Sequence, residues 1–229
     1  MREIYLVRHG QASFGTDNYD KLSPLGHQQS VWLGEYFRER ELTFDRVITG
    51  ELVRQRETAE SLCLSMGRHT HDFEVHSGLN EFDFQGVVAR YLELYPEETP
   101  SSRSDARAFF KALKKAVTAW RTGALEDNPE ESQVESWQDF SDRVAEAFTC
   151  LQDSADKQRL LVVSSGGAMA MAISQILGAA PESVMELNVQ IKNTSVNHLL
   201  CSPNAIRLTS FNHVPHLDRT DRLEAITYS

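Results

Sequence analysis

A chain of 229 residues is long enough to bury one large core, and 41% hydrophobic with 24% charged residues is the balance of a soluble globular protein. Acidic residues outnumber basic ones by 33 to 23, so the chain has no general attraction for nucleic acid or an anionic membrane. No apolar run approaches the roughly 18 residues of a transmembrane helix, and the first residues do not have the layout of a secretory signal. We therefore expect a cytoplasmic protein with neither nucleic-acid nor membrane partners, and the oligomeric state stays open.

Strand and helix signals alternate along the first part of the chain. Residues 4–7 are an apolar run typical of a buried strand. Ser23 followed by Pro24 predicts a helix N-terminus, because serine caps helices and proline suits their first turn. Residues 45–49 predict a second strand, followed by a helix from about Glu51.

The alternation continues to the C-terminal part, interrupted by a polar middle. The remaining signals, in order, are a candidate strand at 73–76, a helix between the polar stretches 96–104 and 126–136, a helix opened by Ser136, an apolar strand at 160–163, an Ala/Met-rich helix, and two strands near 195–201 and 205–211. This order predicts an α/β fold: a three-layer sandwich with a mostly parallel sheet, helices on both faces and a helical insertion at about 85–138. We expect residues 1–229 to form one domain.

Three polar motifs follow predicted strands. Arg8-His9-Gly10 follows the first strand, and Arg54 lies in the first turn of the helix after the second. Ser164-Ser165-Gly166-Gly167 follows the strand at 160–163. In open α/β sheets, ligands bind beyond the carboxyl ends of the strands, so these motifs are predicted to meet at one site.

The residue types in these motifs suit phosphoryl transfer. A neutral histidine can attack phosphorus, so His9 is a candidate nucleophile. Arg8 and Arg54 carry permanent positive charge on planar groups that match phosphate geometry, and their charge favours neutral His9. The turn at Ser165 and Gly166 offers helix N-terminal N–H groups to an anion.

Together these motifs resemble the histidine phosphatase superfamily, which has the phosphoglycerate mutase-like fold. The resemblance rests on Leu-Val-Arg-His-Gly at 6–10, Arg-Gln-Arg-Glu-Thr-Ala at 54–59, Leu-Asn-Glu at 79–81 and Val-Val-Ser-Ser-Gly-Gly at 162–167, and it covers nearly the whole chain. It implies a phosphorylated His9, phosphate clamps at Arg8 and Arg54, and Glu81 as the acid that protonates the leaving oxygen. It implies no metal and no cofactor.

One position departs from the family pattern. That pattern has Ser/Thr-His-Gly-Gly after the fourth strand, and this chain has Ser165 where the second histidine is expected. A serine hydroxyl can donate one hydrogen bond but carries no charge, and loss of a charge-assisted donor costs on the order of 10²–10³ in rate. Ser165 and Gly166 stay candidates for phosphate binding, while efficient turnover is in question.

The predicted activity is therefore hydrolysis of a small phosphorylated metabolite, and alternatives remain. A degenerate phosphate- or phosphoprotein-binding module is favoured by Ser165 and opposed by the retained residues. A phosphoglycerate mutase is less favoured, because residues 82–85 lack the cation-rich segment of those relatives. A serine hydrolase built on Ser165, Glu186 and His213 lacks the Gly-x-Ser-x-Gly elbow. His69, His71 and His76 resemble a metal cluster in composition only.

Overall fold

The computed structural model describes residues 1–13, 20–68, 73–99, 106–125, 134–152 and 157–228; the side chains of 106, 107, 109 and 110 are outside this description. The strands are β1 Arg2–Arg8, β2 Arg46–Thr49, β3 Glu74–Val75, β4 Arg159–Ser164, β5 Val196–Ser202 and β6 Ala205–His213. The helices are α1 Pro24–Glu39, α2 Val53–Ser65, α3 Phe84–Leu94, α4 Ala106–Arg121, α5 Trp137–Gln152, α6 Gly166–Leu177 and α7 Ser183–Asn188. Within the described residues, no helix is both long and apolar enough to cross a membrane.

The strands form one mixed sheet in the order β3-β2-β4-β1-β5-β6. β1 pairs in parallel with β4, which pairs in parallel with β2, and β2 with β3. Among the strands of the described residues, β5 runs opposite to the other five, since it is antiparallel to both β1 and β6. The α/β class and the mostly parallel sheet are therefore confirmed.

Helices cover both faces of the sheet because successive strand residues point to opposite sides. Ile4 and Leu6 of β1 lie in the cluster with α3, α4, α5 and α6, whereas Val7 lies with α1 and α2. β4 divides in the same way, with Leu160 and Val162 on the first side. The result is the predicted three-layer arrangement, with α3 and α4 contributed by the segment between β3 and β4.

Local signals set several element boundaries. The Ser23 hydroxyl accepts a hydrogen bond from Gly26 N at 3.0 Å, with Pro24 in the first turn of α1, as predicted. Ser136 Oγ accepts from Asp139 N at 3.0 Å just before α5. Two predictions were slightly wrong: the helix expected from about Glu51 begins at Val53, and the third strand is only Glu74–Val75. β3 lies at one edge of the sheet, beside β2.

Candidate active site

His9 lies directly beyond the end of β1 and is almost completely buried, at 3% exposure. Its main-chain N–H donates to Ser164 O at 2.9 Å, and Asn193 Nδ2 donates to His9 O at 3.1 Å. The next residue, Gly10, donates its N–H to Thr58 Oγ1 at 3.0 Å. Contacts from β4, α2 and the loop before β5 therefore fix the backbone that carries the imidazole.

The hydrogen bonds of the imidazole define its tautomer. His9 Nδ1 lies 2.7 Å from Gly10 O, and Arg54 Nε lies 3.2 Å from His9 Nε2. A carbonyl oxygen only accepts and a guanidinium N–H only donates. Nδ1 must therefore carry the proton, and Nε2 presents the lone pair.

The surroundings of His9 also keep the ring neutral. Burial is the largest cause that lowers its pKa well below the ordinary value, and the positive charges of Arg54 and then Arg8 lower it further. The hydrogen bond to Gly10 O favours the charged ring but does not offset these effects. A neutral imidazole with a defined lone pair is the form that a nucleophile requires.

Arg54 is held at the N-terminus of α2 with its guanidinium beside His9. It is 6% exposed, and Asp20 Oδ1 lies 2.8 Å from its Nη1. The other oxygen of the same carboxylate, Oδ2, accepts from Val53 N at 3.0 Å. Asp20 therefore binds both the Arg54 guanidinium and the N–H of the preceding residue, and the arrangement gives a fixed planar cation against Nε2 of the imidazole.

Arg8 is also buried, and its guanidinium is anchored by main-chain carbonyls. Nη1 donates to Ile191 O and, at 2.7 Å, to Tyr228 O. Arg8 therefore supplies positive charge to the site and also ties β1 to the segment near residue 228.

The two glycines after β4 allow other groups to approach closely. A Cβ on Gly166 would overlap Asn188 Oδ1 and lie 3.3 Å from Arg8 Cζ. A Cβ on Gly167 would overlap Glu81 Oε1 and lie 2.8 Å from the Phe82 ring. This turn thus touches both Arg8 and Glu81, and only glycine leaves room for them.

Glu81 is half-buried and its carboxylate is directed at the first turn of α6. Oε2 accepts from Gly167 N at 2.9 Å, and Oε1 accepts from Phe82 N at 3.2 Å. Its main chain is supported by Arg143, whose Nη1 donates to Asn80 O at 2.9 Å. Glu81 therefore lies beside the turn at Gly166 and Gly167, beyond the carboxyl end of β4.

Ser165 lies at the start of α6 with no exposed surface. Its hydroxyl accepts a hydrogen bond from Gln55 Nε2 at 2.9 Å and makes no capping bond to α6. Of the predicted site residues, His9, Arg8, Arg54, Glu81 and Gly166 are thus linked by direct contacts or through Gly167. The Ser165 side chain is directed at Gln55, between α2 and α6.

Sequence reasoning missed four residues that support this site. They are Asp20, Gln55, Asn193 and Thr194. Thr194 N donates to Arg8 O at 3.1 Å, and Thr194 adopts a φ of 54°, which is costly for a β-branched residue. Asn193 and Thr194 lie just before β5, far along the chain from His9, and no local pattern marks them.

The weaker candidates have other neighbours. Glu186 pairs with Lys114 at 3.6 Å, while the Ser165 hydroxyl contacts Gln55, so the geometry gives no support to a hydrolase triad on Ser165. His76 Nδ1 accepts from Gly78 N at 3.1 Å, and His69 and His71 lie outside the described residues. The geometry of the strand ends thus favours phosphate chemistry over these readings.

Comparison with protein families identifies the class. The model of the histidine phosphatase superfamily (branch 1) matches residues 4–214, and the chain belongs to this family. Among individual relatives, the probable phosphoglycerate mutase GpmB of Citrobacter koseri is 27% identical over 205 residues, covering 87% of this chain and 85% of the relative. The probable phosphoglycerate mutase GpmB of Salmonella choleraesuis matches at the same identity and coverage.

Solved structures show the same fold at lower sequence identity. A phosphoglycerate mutase from Bacillus anthracis str. Sterne is similar with a TM-score of 0.66 and 16% identity, over 94% of each chain. A phosphoserine phosphatase from Entamoeba histolytica in complex with phosphoserine gives 0.63 and 21%, over 95% of this chain and 100% of its own. A putative alpha-ribazole-5'-P phosphatase from Escherichia coli gives 0.64 and 19%, over 93% and 98%.

Proposed function

We propose that this protein is a phosphomonoesterase that hydrolyses a small phosphorylated metabolite through a phosphohistidine at His9, without a metal or other cofactor. The observation that carries the proposal is the pair of hydrogen bonds on the imidazole, from Nδ1 to Gly10 O and from Arg54 to Nε2. They give a neutral ring whose lone pair faces a fixed cation. A phosphate that accepts the Arg54 N–H groups in place of Nε2 would release that lone pair and bring its phosphorus beside it.

The proposed reaction has two displacements. His9 Nε2 forms a bond to phosphorus while the P–O bond to the leaving group breaks, and Glu81 gives its proton to the leaving oxygen. Water then attacks the phosphohistidine, the P–N bond breaks, and Glu81 takes the proton of that water. Arg54 and Arg8 balance the charge on the phosphoryl oxygens, with Gly166 at the helix N-terminus beside them.

Ser165 gives a second candidate function a specific basis. The family pattern has a histidine at this place, and a buried serine bonded to Gln55 supplies no charge to a phosphoryl group. A module that binds phosphate or a phosphoprotein with little turnover would need Arg8 and Arg54 but not a fast chemical step. The names of the matched relatives add a third candidate, phosphoglycerate mutase activity.

Chemical trapping of the intermediate tests the proposal. Protein is mixed with an aryl phosphate, phosphoserine or 3-phosphoglycerate, with and without EDTA, quenched and digested for mass spectrometry. We expect phosphate on His9 that is acid-labile and base-stable, together with EDTA-insensitive release of inorganic phosphate. His9→Ala should abolish both, whereas His27→Ala, which alters an exposed histidine on α1, should retain them.

Other results would separate the candidates. Phosphate binding by the wild type without release, and without modified His9, would favour the binding module. Interconversion of 3- and 2-phosphoglycerate without net phosphate release would favour the mutase. Full activity in His9→Ala, or phosphate found on a serine, would contradict the phosphohistidine mechanism.

A further inference from the structure

Gln55 follows the phosphate-clamp residue Arg54 in α2, yet it points to a different part of the molecule. Successive helical residues differ in direction by about 100°, so Arg54 faces His9 while Gln55 faces the start of α6. Gln55 has no exposed surface, which is unusual for a polar side chain and requires an explanation from its contacts.

The amide of Gln55 bridges two groups on different segments. Nε2 donates to Ser165 Oγ at 2.9 Å and to Leu79 O at 2.9 Å. Ser164 Oγ donates to the same Leu79 carbonyl at 2.8 Å. Leu79 lies two residues before Glu81, so these bonds attach the Glu81 loop to the end of β4.

Filling space does not by itself explain a glutamine here. Gln55 Oε1 is buried and has no hydrogen-bond donor among the described residues, and such an unsatisfied acceptor costs folding free energy. Methionine would fill a similar volume without that cost. The two N–H bonds to Ser165 and Leu79 are therefore what distinguishes glutamine from an apolar residue at position 55.

The neighbourhood of this amide is tightly packed. A Cβ on Gly50 would overlap Gln55 Oε1 and lie 2.6 Å from Asn80 Oδ1. The amide therefore cannot retreat toward Gly50 without displacing the backbone. An imidazole at position 165 that pointed along the present Oγ direction would extend beyond this atom, which is already in hydrogen-bond contact with the amide. In that orientation a histidine would overlap Gln55 in its present place.

We propose that Gln55 is a positioning residue that replaces, together with Ser165, the second histidine of the family pattern: the neutral Gln55–Ser165 pair holds the Glu81 loop against the end of β4. The functional part of this inference rests on the proposed phosphatase activity; the packing part does not. Neither member of the pair titrates near neutral pH, so it brings no imidazole ionisation to the site.

A double-mutant cycle tests the pair. The proteins are wild type, Ser165→His, Gln55→Ala and the double variant, each measured by thermal unfolding and by kcat/KM against pH. We expect Ser165→His alone to lose tenfold or more in kcat/KM and to unfold at a lower temperature. In the double variant the smaller alanine makes room for the imidazole. Its loss in kcat/KM should therefore be at least tenfold smaller than the product of the two single losses, and its pH profile should show a new ionisation. Additive effects on both activity and unfolding temperature would contradict the proposed coupling between Gln55 and Ser165.

A second variant separates positioning from packing. Gln55→Met keeps the volume and removes both N–H donors, so its unfolding temperature should change little. Because the amide acts on Glu81 through Leu79, kcat for an alkyl phosphate should fall several-fold more than kcat for nitrophenyl phosphate, with KM nearly unchanged. Gln152→Met is the matched control, since Gln152 Nε2 donates to Ser202 O on another element. Wild-type kinetics in Gln55→Met would overturn the positioning role.

These measurements distinguish failure of the pair from failure of the proposed function. If the wild type hydrolyses no phosphomonoester, the proposed function fails, and the unfolding temperatures of the four proteins still decide the packing of the pair. Non-additive temperatures then support it, and additive temperatures overturn it.

Discussion

The carboxyl ends of β1 and β4 are neighbours in the sheet, with Arg8 opposite Ser164, yet the first carries charged residues and the second uncharged ones. The end of β1 carries charge: Arg8 and His9 lie on it, and Arg54 lies against the imidazole. The end of β4 carries serine and glycine residues, and its contacts are hydrogen bonds and close approaches to backbone.

This difference assigns separate tasks to the two ends. Burial and then the charges of Arg54 and Arg8 lower the pKa of His9, and the same permanent charges would suit an anionic ligand. At the β4 end the Glu81 carboxylate reaches the first turn of α6, because Gly167 has no side chain that would block its approach. Substitutions at the two ends should therefore fail in different ways.

The largest effect is expected where the β4 end holds the proposed acid. Glu81→Gln removes the transferable proton but keeps an acceptor for Gly167 N–H. Hydrolysis of alkyl phosphates should fall on the order of 10²-fold or more, since general acid catalysis contributes about 10²–10⁴. Nitrophenyl phosphate should lose far less, because its leaving group scarcely needs a proton. Steady-state kcat on both substrates measures the ratio.

The control for this variant is Glu146→Gln on the exposed side of α5, which should keep wild-type rates on both substrates. Equal losses on the two substrates in Glu81→Gln would show that Glu81 acts structurally or through its charge, and the acid role would be wrong.

A smaller effect is expected at the β1 end from a change that keeps the positive charge but removes the planar geometry of the guanidinium. Arg54→Lys retains one positive charge but loses the planar donor set that contacts Asp20 and His9 together. We expect a loss of about tenfold or more in kcat/KM, equivalent to about 1.4 kcal/mol per tenfold. Arg56→Lys, an exposed neighbour on α2, should behave as wild type. Unchanged kinetics in Arg54→Lys would leave Arg54 as an ordinary ion-pair partner of Asp20.

The smallest effect is expected on the pH dependence of stability, through His216. This residue is buried, and its Nε2 lies 2.8 Å from Oγ1 of Thr194, whose N–H donates to Arg8 O at the end of β1. Burial, followed by Arg222 and His213, lowers the pKa of His216 from 6.5 to about 3. Below about pH 6.5 the unfolded chain binds a proton that the folded chain refuses, so stability falls as the pH decreases from 6.5 toward 3. This one group contributes up to about 1.4 kcal/mol per pH unit in that window.

His216→Gln should therefore reduce the slope of unfolding free energy against pH between pH 6.5 and 4, as measured by urea unfolding. Above pH 7 the difference between the two proteins should be constant, because His216 is neutral in both the folded and the unfolded wild type. His9 contributes a slope of the same sign, so the variant retains part of the acid sensitivity. An unchanged slope would contradict the buried neutral state of His216.

Much of the fold could be predicted from sequence because strand and helix periodicities alternate and Ser23-Pro24 marks a helix start. The strand order could not, since apolar runs such as 160–163 are buried on both faces and carry no information on their neighbours. The reversal of β5 relative to β1 likewise depends on packing rather than on local sequence.

In the candidate site, Arg8, His9 and Arg54 were visible because each follows a strand end. Their supporting partners were not. Asp20 lies in a polar stretch of the sequence where an aspartate has no distinctive pattern, and its contact with Arg54 exists only once Asp20 lies beside α2 in the folded chain. Gln55 is one of several polar residues in α2, so its contact with Ser165 emerged only from the tertiary structure.

The anchoring of Arg8 has a consequence for how the molecule reaches its folded state. Within the described residues, β1 pairs with β4 and β5, and the Arg8 guanidinium donates to Tyr228 O, 220 residues away in the chain. During synthesis the first strand therefore leaves the ribosome long before any of these partners exists. Contacts so distant in sequence form slowly, because a long loop must close before they contribute free energy. The segment that carries His9 is thus among the first parts to be made and among the last whose contacts can be completed.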